Sequence, residues 1–376
     1  MLGCDIFLAG GEIEKLTRSL LDNGIKHLLY SYYYILRFSK EGFVDRMKQE
    51  YPDVKWFLDS GAFTYATVVA AGGNRKLPPP ERYKDLYIDY VRDFGRGFYR
   101  IAELDVDGVL TKDGTQLVEY PVVCDWLEEL LQTFPDYPVM PTYHGWRPRE
   151  DWTRYCEDPR VRCLAIGRGT KGLGRQRMLV MEAQKWKKPV HGFAMTKFQS
   201  TLKMVPYDSV DSSSWVMGQK YGLTYIFMAN RWKVLTGDQK RLRRRYYNYF
   251  KSIGVDPELI IKDDLNELRK ANVIAWRNLS ARYHEMKVRR NTALGMEDVL
   301  PIDDSTGEEM SEEELEETVE PEKEPTLVLA PQPRIPFTPR PMRSIVAPHG
   351  GTVRVPVKRA LAGFHIPIQD PTRRKA

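Results

Sequence analysis

The sequence predicts a (β/α)₈ barrel, and three observations carry that expectation. Short β-rich runs alternate with amphipathic stretches up to about residue 230, eight such runs occur in order, and polar residues end several of them. The runs cover residues 4–9, 27–35, 54–59, 99–105, 139–144, 163–167, 189–193 and 208–212. Between them lie helical patterns at 12–21, 40–50, 81–94, 120–133, 150–156, 175–185 and 198–204. The first places Ile13, Leu16, Leu20 and Leu21 at the three-and-four spacing of one helix face. Eight strands with a helical crossover after each are what a closed parallel barrel requires. A doubly wound open sheet shares the alternation, but it usually has fewer strands and often a glycine-rich phosphate loop after the first. Gly10-Gly11 matches that loop poorly.

Bulk properties agree with one large core. A chain of 376 residues with 42% hydrophobic residues, eight Trp and 21 Tyr can fill a barrel interior. No run approaches the roughly 18 apolar residues that span a bilayer, and Met-Leu-Gly-Cys-Asp does not open a secretory signal. The four cysteines form no CxxC pair, which suits a reducing, cytoplasmic compartment. A net charge of +6 only weakly favours a polyanionic partner.

The pattern changes after residue 230, giving expected divisions at 1–230 (barrel), 231–300 (basic, aromatic, helical extension), 301–324 (acidic linker) and 325–376 (Pro-rich basic tail). The linker carries Glu312-Glu313-Glu314 and too little apolar surface to order itself, so linker and tail are expected to be disordered. The tail could also recruit a protein partner. In the extension, Lys240, Arg241, Arg243, Arg244 and Arg245 stand beside Tyr246, Tyr247, Tyr249 and Phe250, a composition that would follow a phosphate backbone and stack on bases. A solvated helix face is the bland alternative.

Barrel enzymes place reactive groups at the C-terminal ends of strands. Asp59, Asp105, His144, Gly167 with Arg168, His191 and Asp211 occupy those positions. Any one Asp there is as readily a turn or cap residue, but the set together points to a site. Two separated carboxylates suit attack at an acetal-like carbon by one and proton exchange by the other. Glu103 and Asp107 compete with Asp105, and Asp208 competes with Asp211.

Leu58-Asp59-Ser60-Gly61-Ala62-Phe63, Leu164-Ala165-Ile166-Gly167 and Val210-Asp211, in that order, resemble the tRNA-guanine transglycosylase superfamily. The Ser-Gly-Ala-Phe and Asp-Ser-Ser-Ser-Trp forms look closer to its DpdA-type branch, which inserts 7-deazaguanine bases into DNA and occurs in phages and bacterial islands. The likeness covers residues 4–215. It implies that Asp211 forms a glycosyl-enzyme while Asp59 shuttles protons. Asp105, Ser60, Phe63, His144, Gly145, Gly167, Arg168, His191 and Gly192 would then surround the base. His144 stands where the tRNA enzymes usually have Gln, which leaves its role open. Those enzymes also carry a CxCxxC zinc site, and no Cys follows Cys163, so no metal or other cofactor is expected. The resemblance thus implies guanine exchange in DNA, with tRNA exchange or a non-catalytic nucleic-acid-binding subunit as alternatives. A glycan hydrolase fits the two carboxylates but not the basic extension.

Overall fold

The computed structural model describes residues 3–38, 42–72, 77–167, 169–196, 201–295, 342–346 and 352–356. Nine parallel strands form the barrel: β1 (Asp5–Ala9), β2 (His27–Ser31), β3 (Lys55–Asp59), β4 (Phe98–Ala102), β5 (Val139–Met140), β6 (Thr142–Tyr143), β7 (Leu164–Ile166), β8 (Val190–Gly192) and β9 (Ser209–Ser212). Their order is β5-β4-β3-β2-β1-β9-β8-β7-β6. The two ends of this sheet, β5 and β6, are consecutive pieces of one run interrupted at Pro141. Proline has no N–H for the ladder, but the Pro141 carbonyl still accepts from Ala165 N at 2.8 Å. The ring therefore closes with eight extended segments, as the sequence pattern predicts.

The barrel interior holds Phe7, Leu29, Phe57, Tyr99, Met140, Cys163 and Ala165. Between β3 and β4 the register slips, so that Trp56 faces Phe98 and Phe57 faces Arg100. Tyr99 is the extra residue of this bulge, and Arg100 turns inward to reach Ser209 across the barrel. The larger core lies between strands and helices. One expected stretch reads differently, and one helix was not expected. Residues 32–35 belong to a helix, Tyr32–Phe38, which buries Tyr32, Tyr33 and Ile35; β-prone residues are helical here because tertiary packing overrides local propensity. A second helix, Ala62–Ala70, follows β3 at once and begins at Gly61 with φ 72°. A side chain at Gly61 would be strained by that φ and would come within 2.5 Å of Tyr33 Cβ.

Beyond β9 the chain forms an antiparallel hairpin, β10 (Thr224–Met228) and β11 (Arg231–Leu235). Its turn residues Ala229 and Asn230 both have positive φ, as a two-residue primed turn demands. The expected boundary at 230 falls in this turn. A 3₁₀ helix (Gly237–Tyr246) and short helices follow, then a 30-residue helix, Leu265–Leu294. Asp264 caps the long helix by accepting from Asn266 N and Glu267 N. The helix packs on β10 and β1, burying Val273 and Ala275 in the main core, Trp276 against Tyr225 and Trp232 of the hairpin, and Leu268, Ala271 and Ile274 in a second cluster with Ile226 and Leu235.

All of this belongs to one compact unit, Met1–Glu308. A second unit, Glu309–Ala376, contains an antiparallel pair, Met342–Val346 with Thr352–Pro356. The expected acidic linker at 301–324 lies outside the described residues, as does the tail apart from those two strands. Among the described residues no helix is long and apolar enough to cross a membrane.

Candidate active site

The C-terminal ends of β3, β4, β8 and β9 bring carboxylates and imidazoles to one mouth. Asp59 ends β3, and its Oδ2 accepts from Gly61 N at 3.2 Å. Burial, then the charges of Asp105 and Asp211, push its carboxyl up to about 8, against an ordinary 3.8. Asp59 is thus a neutral acid at pH 7.

Asp211 is the third residue of β9, and its Oδ1 accepts from Ala194 N at 2.6 Å. Ala194 holds a φ of 54°, a left-handed conformation that costs a non-glycine residue about 1 kcal/mol or more. That strain is retained where the N–H it presents touches the carboxylate. His191 Nε2 lies 3.3 Å from the same oxygen, and His191 Nδ1 lies 2.8 Å from Ser209 Oγ. Arg100 Nη1 donates to Ser209 Oγ at 2.6 Å. With Asp211 as carboxylate, every role in this chain is fixed. Nε2–H donates to Asp211, so Nδ1 of the neutral ring accepts from Ser209 O–H, whose lone pair receives Arg100. Burial lowers the His191 pKa, consistent with a neutral ring. Phe7, Phe57 and Phe193 pack edge-on around it. Arg100 itself is fully buried, a costly place for a cation.

Across the mouth, His144 Nε2 meets Asp105 Oδ2 at 2.7 Å, and the ring stacks on Trp146 at 4.3 Å and 9°. The stack needs glycine behind it, because a Cβ at Gly167 would lie 2.2 Å from His144 Cε1 and one at Gly169 would lie 2.0 Å from Trp146 Cζ3. The rival carboxylates are engaged elsewhere. Glu103 and Asp107 are buried and both pair with Arg147 at 2.5 Å. Burial pushes Glu103 up to about 7, opposed by Arg147. Burial also acts on Asp107, but hydrogen bonds and charge from Arg147 outweigh it and leave that carboxyl below its ordinary range. Asp208 is likewise buried and holds Arg290 and Val190 N. Of the contested carboxylates, Asp105 and Asp211 are those left to join Asp59 at the mouth.

Other expected site residues are placed as follows. Ser60 is buried; its Oγ accepts from Ala62 N at 3.4 Å and its carbonyl from Tyr83. Phe63 is 66% exposed in the first turn after β3. Gly145 sits against the Gly169 carbonyl and Gly192 against Tyr207. Arg168 lies outside the described residues. In the basic run, Arg243 is buried and bound to Thr224, Ile260 O, Gly222 O and Asp263, so it faces inward. Lys240 pairs with Asp263, while Arg241, Arg244 and Arg245 are exposed. Four participants escaped sequence reasoning: Arg100, Ser209, Trp146 and Glu12. Buried Glu12 accepts from Ser31 N at 3.0 Å, burial raises its carboxyl to about 7, and Ser31 in turn hydrogen-bonds Asp59. A polar residue opening a strand, such as Ser209 in β9, was the available signal.

No family model matches this chain, and no curated protein matches it. Among solved structures it is similar to an enolase from Sargasso Sea environmental sequence (8% identity, TM-score 0.33, covering 56% of this chain and 55% of that one). It is similar also to a mandelate racemase/muconate lactonizing protein from Herpetosiphon aurantiacus (12%, 0.36, 56% and 54%). A third is the YdjI aldolase from Escherichia coli K12 (9%, 0.36, 78% and 92%). The chain spans about half the length of the first two. At these identities none of their activities transfers to this chain.

These are not guanine transglycosylases, which corrects the expected place in the tRNA-guanine transglycosylase superfamily and its DpdA-type branch. Base exchange in DNA, its tRNA and non-catalytic alternatives, and the DNA-modification and phage context fall with it. The motifs misled for a physical reason: Asp59-Ser60-Gly61, Gly167 and Asp211 stand where barrel strands run into turns and helix starts, and those positions select Asp, Ser and Gly in any such fold.

Proposed function

We propose that the chain is an enzyme whose barrel mouth performs acid–base catalysis on a small polar substrate. The observation that carries this reading is the difference in environment between Asp59 and Asp211. Asp59 is held neutral by burial and two like charges, whereas Asp211 receives hydrogen bonds from Ala194 N and His191. Carboxyl groups in such unlike surroundings divide the labour of acid and base. Asp59 gives a proton to the group that gains negative charge, and Asp211 removes a proton or attacks an electrophilic carbon. His191 steadies Asp211 through the chain that begins at Arg100. Asp105, oriented by His144, accepts from a donor on the substrate, and the Trp146 face offers an apolar wall.

The test is a panel of small hydroxy acids, keto acids, phosphorylated sugars and glycosides in deuterated water, read by mass spectrometry for product or solvent deuterium. The expected result is turnover of a compound class by wild type, with a rate that falls above about pH 8 as Asp59 ionises, and loss of turnover in Asp59→Asn and Asp211→Asn. Turnover that survives both substitutions would place the chemistry elsewhere.

A further inference from the structure

At the opposite end of the barrel, three side chains from separate elements converge. Asp5 opens β1, His27 opens β2, and His284 projects from the long helix Leu265–Leu294. One ligating atom from each lies within 4.8 Å of the others. Both imidazoles approach the same carboxylate oxygen: His284 Nδ1 is 2.6 Å and His27 Nε2 is 3.6 Å from Asp5 Oδ1. The second distance is too long for a hydrogen bond. It is close to the roughly 3.4 Å edge of a tetrahedron whose metal–ligand bonds are about 2.0–2.1 Å. We infer that Asp5, His27 and His284 form a site for one divalent transition-metal ion of the zinc type on the N-terminal face of the barrel.

Three further features favour this reading. Lys287 Nζ lies 2.8 Å from Asp5 Oδ2 and Lys55 Nζ 3.7 Å from it, so the carboxylate is oriented through one oxygen and presents the other to the imidazoles. Such an outer hydrogen bond is the usual support of a ligating carboxylate. A cavity of about 390 Å³ lined by His27, Lys55, Ser280 and His284 gives an ion access and room for a water to complete four-coordination. The His284–Asp5 pair must open by under 1 Å to reach the tetrahedral edge, a small side-chain movement. The two ammonium groups oppose a further cation, so binding is weaker than at a closed cysteine site. The ion would staple the C-terminal helix to the barrel floor, away from the carboxylates of the mouth. The expectation of a metal-free chain rested on the missing cysteine set, and imidazole with carboxylate is an independent way to hold zinc.

The experiment uses the full chain, stripped with chelator, dialysed against Zn²⁺ or Co²⁺ and read by elemental mass spectrometry and by the visible Co²⁺ spectrum. Expected are one metal per chain, an intense tetrahedral Co²⁺ band and a metal-dependent rise in Tm. His284→Gln and His27→Gln each weaken binding at least tenfold and abolish the Tm rise. Asp211→Asn and His144→Gln leave binding intact, which separates this site from the mouth. His284 is partly exposed, so its replacement tests the site without emptying the core. Failure of wild type to retain metal, unchanged binding in His284→Gln, or binding of inorganic phosphate in place of metal overturns the inference.

Discussion

Ser209→Ala tests the hydrogen-bond chain beneath Asp211 with the loss of one oxygen atom. In the native barrel Ser209 Oγ accepts from Arg100 at 2.6 Å and donates to His191 Nδ1 at 2.8 Å. Both partners are fully buried, so neither recovers a hydrogen bond from bulk water. Each stranded group costs about 1–3 kcal/mol, with Arg100 toward the upper end because it is charged. The cavity left by one hydroxyl adds little, so the variant is expected to lose about 2–4 kcal/mol of unfolding free energy. Urea denaturation measures that loss. Imidazole ¹⁵N spectra of wild type report the other half of the reasoning: Nε2 should carry the proton and Nδ1 should be an acceptor. A stability loss below about 0.5 kcal/mol, or a wild-type ring protonated at Nδ1, would refute the chain as drawn.

Three other outcomes are expected. Arg147→Met leaves Glu103 and Asp107 buried without their cation and should destabilise the fold by about 3–5 kcal/mol, read by denaturation at pH 7 and partly recovered at pH 5 as the carboxyls protonate. Gly167→Ala puts a methyl group 2.2 Å from the His144 ring, so the His144–Asp105 pair should break and substrate KM should rise more than Tm falls. Asp59 has its folded pKa raised, so the folded state keeps a proton that the unfolded chain releases above about pH 4. Its contribution to stability is therefore complete below the ordinary 3.8 and lost as pH rises toward about 8. Asp59→Asn, which stays neutral, should gain on wild type by up to about 1.4 kcal/mol per pH unit across that window, as measured by urea titrations.

The barrel was legible because its signal is repetitive: apolar runs such as Asp5–Ala9 are followed by a turn and an amphipathic crossover, and eight repeats leave few alternatives. The placement of Asp59, Asp105, His144, His191 and Asp211 in or just after barrel strands was legible for the same reason. Arg100 was not, because a β-bulge at Tyr99 turns it inward, and no alternation rule places a basic residue inside a barrel. The basic run misled in a related way. Its five cations read alike in sequence, yet the 3₁₀ geometry of Gly237–Tyr246 turns Arg243 onto Asp263 while Arg241, Arg244 and Arg245 stay in solvent. The β10–β11 hairpin was hidden because Arg231, Trp232 and Lys233 suggest a charged helix, and Ala229-Asn230 is an uncommon primed turn. Long-range contacts such as His284 with Asp5, which lie 279 residues apart, leave no trace in a single sequence.

The central claim is that the Asp59 carboxyl at the mouth keeps its proton well above the ordinary carboxylate range. Carboxyl ¹³C spectra of aspartate-labelled protein, assigned with Asp59→Asn and followed from pH 4 to 10, measure it directly. The account predicts that the Asp59 carboxyl titrates near pH 8 and moves down when Asp105→Asn removes the neighbouring charge with the larger effect on it. An Asp59 carboxyl that titrates near 4, indifferent to Asp105, would contradict it.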